Sequence, residues 1–352
     1  MKKLALLIAV TLTANMAIAQ KISRNELKQL QAFLALPAEK DATNAAALKI
    51  DNTSNPASWE GVTVENGHVT RIEWKDKHLA GTLALAGFSA LKELDVSRNA
   101  ITEFSATNLA ALTDLNVSHN KLTSLTLTNC DQLTKVSINN NKLSEFTLNN
   151  VPFIKNLNCS NNLFAVLNLS SSPTLESLNC QANRLETLFV DDCTALKELY
   201  CGYNKLTSLT LAGVPNLKSL NIDGNNITNM ILSNLPSLGF FVCSDNDMKT
   251  LAVRDCGALI DLICSYNDLT ELSVTGCPQL QFVDCSYNDL QSLTMSNQTF
   301  LQRLLCNNNN LTMLDVSFDP ALTYVNCRFN QITDFRRMVT PNLRMVAGQW
   351  NL

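Results

Sequence analysis

A chain of 352 residues with 27 basic and 31 acidic side chains is mildly acidic, and it holds no basic stripe of the kind that binds nucleic acid. That length ordinarily implies two or three globular domains, but a chain built from repeats grows in one dimension and escapes the rule. The search for a repeat therefore precedes everything else.

The chain opens with Met1-Lys2-Lys3, continues through a mostly apolar run from Leu4 to Met16, and reaches Ala17-Ile18-Ala19 before Gln20. A positive start, a short apolar stretch and a small-x-small end predict a secretory signal peptide over residues 1–19. No later stretch approaches the roughly 18 to 20 apolar residues that a transmembrane helix needs. No cysteine precedes Cys130, so lipid attachment just after the cleavage point is not expected. The reading is an exported chain, secreted, at the cell surface or in the periplasm.

Residues 20–90 are predicted to form an N-terminal cap. Ser23-Arg24-Asn25-Glu26 has capping-box spacing, and Leu27, Leu30, Phe33 and Leu34 follow at helical intervals up to Pro37. Further on, Val69, Ile72, Trp74 and Leu79 have the character of a degenerate opening repeat.

From residue 91 to residue 342 one asparagine recurs every 21 residues, from Asn99, Asn120 and Asn141 through to Asn330, twelve in all. Large apolar residues stand eight and five before it and two, five and seven after it, as Leu112, Leu115, Leu122, Leu125 and Leu127 do around Asn120. Three before it stands Val, Ile or Cys. Alternation on either side of the asparagine predicts two short strands per coil and leaves no room for a helix. One coil buries five or six side chains at about 1.5–3 kcal/mol each, against about 1–2 kcal/mol of backbone entropy per ordered residue, so it folds only when stacked on others. The asparagine sits where the chain leaves the first strand, and its amide both donates and accepts. It is expected to satisfy buried backbone groups rather than to do chemistry. Leu343, Val346 and Asn351 continue the pattern, so residues 343–352 are read as a terminal half-repeat. Only Arg336, Arg337 and Arg344 stand near that end to discourage edge pairing, which leaves end-to-end association as the alternative to a monomer.

Written out, L-x-x-L-x-C-S-x-N-x-L-x-x-L-x-L resembles the leucine-rich repeat, most closely the 21-residue class of bacterial secreted proteins, over Leu91 to Leu352. Trp59-Glu60-Gly61-Val62-Thr63, His68-Val69-Thr70-Arg71-Ile72 and Leu79-Ala80-Gly81-Thr82-Leu83 resemble the N-terminal cap of plant-type leucine-rich-repeat receptors, without the cysteines that normally bridge it. The resemblance implies an all-β leucine-rich-repeat solenoid with parallel sheets and a short helical cap. It further implies a non-catalytic protein-recognition module of an exported bacterial protein, in adhesion or host contact. In this family the first strand lines the concave side, where the positions six, four, two and one before the asparagine face a ligand.

The twelve cysteines all fall on inward positions, eight of them three before the asparagine and Cys130, Cys193, Cys256 and Cys277 ten after it. Neighbours at a strand spacing of about 4.8 Å with parallel Cβ vectors suit free thiols better than disulfides, which want about 3.8 Å. A single column cannot surround zinc tetrahedrally. His68, His78 and His119 have no nucleophile at a motif spacing, and no EF-hand loop is present. No catalytic residue, cofactor or metal is expected.

The open positions of coils one to five hold small or hydrophilic residues such as Glu93, Asp114, Asn156 and Asn179. From coil six they hold Tyr200, Tyr203, Phe240, Val242, Ile263, Tyr266, Phe282, Tyr287, Leu305, Tyr324 and Phe329, and these include all five tyrosines of the chain. A contiguous aromatic surface marks an interaction site, with Asp245, Asp261, Asp284, Arg303 and Arg328 as its rim. The competing account is that strands favour Tyr, Phe and Ile on any face. The expected partner is a protein, with a glycan as the alternative because tyrosine flanked by Asp and Asn also suits sugar rings.

Overall fold

The structure, a computed structural model, describes residues 22–295, 298–317, 319–336, 342–343 and 345–347. The predicted signal peptide, Arg337, Arg344 and Asn351 lie outside the described residues. Coils are numbered here by their asparagines, from Asn99 in coil one to Asn330 in coil twelve. Each front strand turns one apolar side chain inward, as Leu262 does in Asp261–Ile263, and a long back strand turns in two, as Leu251 and Val253 do in Thr250–Arg254. Front strands then pair in parallel with the one 21 residues on, Leu262 opposite Val283, and back strands do so within groups, Leu251 opposite Leu272. The outcome is a β-solenoid of stacked coils.

Two compact units are distinguished, residues 1–133 with 146–151, and residues 134–145 with 152–352. The first begins with helix α1 (Arg24–Leu34). Ser23 stands at its N-cap without a side-chain cap bond, so the expected capping box does not form. Glu26 turns instead to strand β2 (His68–Glu73), where one carboxylate oxygen accepts from the Val69 N–H at 2.9 Å and the other lies 2.8 Å from His68 Nδ1. A carboxylate this deeply buried needs partners, and the neighbouring strand supplies two. The helix accordingly buries Glu26, Leu30, Phe33 and Leu34, with Leu27 only half-buried. Strand β1 (Val62–Glu65) returns antiparallel into β2 through Asn66-Gly67, both at positive φ, the residue pair such a hairpin turn favours. β2 pairs in parallel with Glu93–Asp95, which places Val69, Ile72, Trp74 and Leu79 in the core as the opening layer. Trp74 packs 6.3 Å from Phe33 and 6.4 Å from Trp59 between ring centroids.

In the second unit the front ladder is continuous from Lys135–Ser137 to Met345–Ala347. The back is interrupted. Val166–Asn168 pairs with Thr187–Phe189, then Asn229–Ser233, Thr250–Arg254 and Glu271–Thr275 form a second group, and Ser292–Thr294, Met313–Asp315 and Asp334–Arg336 a third. Two strands per coil therefore fails in coil six. There Leu209-Thr210-Leu211 forms no strand and both leucines stay half-buried, although Leu125-Thr126-Leu127 reads the same and does form one. The Asp191 carboxylate takes bonds from the Thr210 hydroxyl and the Ala212 N–H, both at 3.1 Å, and a side chain that captures backbone donors competes with the ladder.

Coil is joined to coil by the asparagines. Asn267 donates through Nδ2 to the carbonyls of Cys264 and Ser265 in its own coil and of Cys243 in the coil before, at 3.2, 3.3 and 3.0 Å. Its Oδ1 accepts from the Met248 N–H, again of the coil before, at 3.1 Å. The same set recurs at Asn204, Asn246, Asn288 and Asn309, each less than a tenth exposed.

Candidate functional site

Every coil turns a corner in the left-handed backbone region one residue before its asparagine, and nine residues after it most turn a second. That conformation presses Cβ toward the following carbonyl at about 1–2 kcal/mol for an ordinary residue, and Gly, Asn and Asp tolerate it best. The second corner respects the preference, with Asn108, Asn129, Asn150, Ser171, Asp192, Gly213, Asn234, Asp255 and Gly276. The first corner is less selective: it holds Asn140, Asn161, Gly224, Asp245 and Asn308 in five coils, Arg98, His119 and Ala182 in coils one, two and five, and in coils six, nine, ten and twelve Tyr203, Tyr266 and Tyr287 at φ 55° and Phe329 at 56°. The same backbone demand is thus met by exposed aromatic residues at the first corner of four coils and by none at the second.

These four rings are 60, 56, 44 and 60% exposed in chain order. Tyr266 and Tyr287 stack with centroids 4.3 Å apart and planes 8° from parallel. Tyr203 leans over coil seven, where a Cβ on Gly224 would stand 2.7 Å from its Cδ1, and its hydroxyl bonds to Asp223. Six before the asparagine stand Phe240, which is exposed, and Phe282 and Tyr324, which are half-buried. Four before it, Tyr200, Val242, Ile263 and Leu305 are half-buried. All eleven residues expected of the site therefore lie on the front of the second unit.

The position two before the asparagine is not open in every coil: Ser97, Ser118, Ser160, Ser265 and Ser286 are buried there, whereas Arg328 is exposed. The serine turns back on the side chain two residues earlier, as Ser286 does on Asp284 through its hydroxyl at 2.6 Å and its N–H at 3.0 Å. Arg303, expected at the rim, lies against two rings of the face. Its guanidinium carbon lies 5.4 Å from the centre of the Phe282 ring and 5.7 Å from that of Tyr324. The three residues occupy one column, six before the asparagines of coils ten, eleven and twelve, and reading that column vertically would have found the arrangement. Asp223, Asp245, Asp261 and Asp284 belong to coils seven to ten, and burial raises the carboxyls of Asp223 and Asp261 above their ordinary range.

A sequence profile described as Leucine Rich Repeat matches residues 216–238. Among solved structures, YopM from Yersinia enterocolitica WA-314 is similar at 25% identity and a TM-score of 0.58, covering 77% of this chain and 69% of its own. YopM from Yersinia pestis, described as a leucine-rich effector protein, is similar at 25% identity and 0.62, covering 80% and 77%. The functional domain of InlJ from Listeria monocytogenes, described as including a cysteine ladder, is similar at 25% identity and 0.51, covering 84% and 75%. The fold is a leucine-rich-repeat solenoid. None of the curated proteins compared matches the sequence.

This leucine-rich-repeat solenoid has a cysteine ladder too, and all twelve thiols are buried and unpaired. Burial pushes Cys159 and Cys201, behind the front strands, up to about 12. The column ten after the asparagine behaves differently. The Cys256 thiol hydrogen-bonds to Cys277 and lowers the Cys277 pKa against the effect of burial. Cys277 lines a hollow of about 640 Å³ at the gap between Glu271–Thr275 and Ser292–Thr294. The thiolate is the nucleophile, so iodoacetamide at pH 7.5 should label Cys277 before any other cysteine of the folded chain. Peptide mass spectrometry over a labelling time course measures this, and a front-ladder cysteine reacting first would refute it.

The same column continues into Gln298 and Asp319, both buried, where Gln298 Oε1 and Asp319 Oδ2 have no partner. Burial raises the Asp319 carboxyl from 3.8 to about 7. The folded chain holds this proton more tightly than the unfolded chain, so the group's contribution to stability is complete below about pH 4 and lost as pH rises through about 7. Asp319→Asn should flatten that decline and exceed the wild type in stability at pH 8. Thermal unfolding at pH 4, 6 and 8 tests it; parallel profiles for the two proteins would show Asp319 is not the source. Among the described residues no three His, Cys, Asp or Glu side chains gather to hold a metal, and no helix is long and apolar enough to cross a membrane.

Proposed function

We propose that the chain is an exported, non-catalytic recognition scaffold of a bacterial protein, binding a protein partner through the front face of coils six to twelve, in adhesion or host contact. The observation that carries the reading is the contrast between the two left-handed corners. Exposed tyrosine or phenylalanine occupies the first corner in coils six, nine, ten and twelve, whereas the second, with the same left-handed backbone, keeps Asn, Asp, Gly and Ser. Strand propensity does not account for this, because a left-handed corner is not strand. The leucine-rich-repeat fold supports a scaffold role, and the first 19 residues support export.

A glycan is the second reading, favoured by tyrosines set among Asp and Asn. Against it, Tyr266 and Tyr287 cover one another at 4.3 Å, which leaves each only one ring face for a sugar. The test presents immobilised residues 20–352 to a glycan array and to purified surface proteins of candidate host cells. Protein capture that disappears in Tyr266→Asn/Tyr287→Asn supports the proposal. Selective glycan capture overturns the partner class, and equal capture by the variant overturns the site.

A further inference from the structure

We propose that Arg303 anchors this face by receiving the side-chain carboxylate of an Asp or Glu in an acidic segment of the protein partner. The inference rests on the reading of coils six to twelve as a binding face and adds the chemistry of what is bound.

Strand pairing sets Phe282, Arg303 and Tyr324 side by side in successive coils, and the guanidinium lies within 5.4 and 5.7 Å of the two ring centres. Rings attract a guanidinium to their faces and restrain its long side chain, while its N–H edge remains available. A planar fork of donors held in this way matches a carboxylate with two parallel hydrogen bonds. Some exposed cations are neutralised within the chain, as Arg71 is by Glu73 and Glu93, Lys121 by Glu39, Lys197 by Glu176 and Arg336 by Asp334, whereas the cation held between Phe282 and Tyr324 is not. Among the described residues no carboxylate reaches Arg303.

Charge along the face agrees. Coils seven to ten carry Asp223, Asp245, Asp261 and Asp284, whereas the open positions of coils eleven and twelve carry Arg303 and Arg328 and no acid. In a chain of net charge −4 this is a local positive end on an acidic face. A partner's carboxylate is drawn to coils eleven and twelve and repelled from the coils before, which sets its direction of docking. Half-buried Leu305, two residues on along the same strand, adds an apolar floor, so the segment should carry apolar residues beside its acid. Phosphate fits less well, because its second charge meets Asp284, which pairs with Leu305 in the adjoining strand.

The experiment is an array of amidated peptides, each with Glu, Asp, Gln, Asn or Lys at its centre among apolar residues, with free-acid copies and a companion array of sialylated and uronic-acid glycans. It is probed with residues 20–352 of the wild type, Arg303→Gln, Arg303→Glu and Tyr266→Asn/Tyr287→Asn. A charge-assisted pair of this kind predicts capture of Glu or Asp peptides about tenfold or more above their Gln or Asn matches. Arg303→Gln should erase that preference and Arg303→Glu should turn it toward Lys. Absence of acidic capture by the wild type, or an undiminished preference in Arg303→Gln, overturns the assignment. So does Arg303-dependent capture confined to free-acid peptides or to acidic glycans. Capture lost in the tyrosine variant without any acidic preference would leave the face standing and remove Arg303 as its anchor, whereas acidic capture untouched in the tyrosine variant would remove the face as drawn. Arg303 is exposed, and circular dichroism of both variants checks that the ladder is intact.

Discussion

Asn267→Ala should cost about 3–5 kcal/mol, because unsatisfied buried backbone groups cost about 1–3 kcal/mol each and this change strands several at once. The Met248 N–H loses its acceptor, and the carbonyls of Cys243, Cys264 and Ser265 lose a shared donor. The side chain is 8% exposed, so water does not readily take over. Asn267→Asp should do little better, since it keeps the acceptor, removes the donors and adds a buried charge. Asn310→Ala is the matched control: that asparagine is exposed, its side-chain amide donates to the Asp289 carboxylate at 3.3 Å, its backbone bond to Leu290 survives the change, and stability should shift by less than about 0.5 kcal/mol. Urea midpoints of the three variants decide the matter. Equal effects of Asn267→Ala and Asn310→Ala would mean that the ladder is decoration.

Tyr266→Asn/Tyr287→Asn should weaken partner binding about 100-fold or more while leaving the coil stack as stable as before, within about 1 kcal/mol. Buried or partly buried tyrosines that anchor an interface each contribute about 2 kcal/mol or more, and two removed together exceed the factor stated. The fold loses one stacked pair, about 0.5–1.5 kcal/mol. It gains two residues better suited to the left-handed region, which returns a similar amount. Asn140, Asn161 and Asn308 already occupy this corner in other coils, so the replacement is one the backbone accommodates. Binding and thermal unfolding measured on one preparation separate the two effects. A destabilised variant would mean that the rings hold the coils together rather than a partner.

Much of this was readable before any coordinates. The asparagine period sets the register, and the register alone assigns which side chains face inward, which is why Leu262, Cys264 and Leu269 are buried where the pattern puts them. The same register gathers Tyr266, Tyr287 and Phe329 at one corner. What was not readable depends on distances that a repeat pattern does not carry. Glu26 abandons its own helix because Val69, distant in the chain, offers a better donor. Leu209 and Leu211 lose their strand to Asp191, one coil earlier, although their spelling is unchanged. The strain at the aromatic corner is a matter of φ, and no residue type announces a left-handed tyrosine. Arg303 reads as a lone charge in its own coil, and its contact with Phe282 and Tyr324 emerges only when the neighbouring coils are stacked above and below it.

The asparagine bonds also have a direction. Each side chain completes the coil before it, closing that coil's carbonyl and N–H, and asks the coil after it for the same service. With a helix sealing the first layer, the stack has a beginning from which it can grow and a single sense of growth. Any chain is synthesised amino end first, so each coil can be closed as soon as the next asparagine arrives. The order of synthesis and the polarity of these hydrogen bonds run the same way.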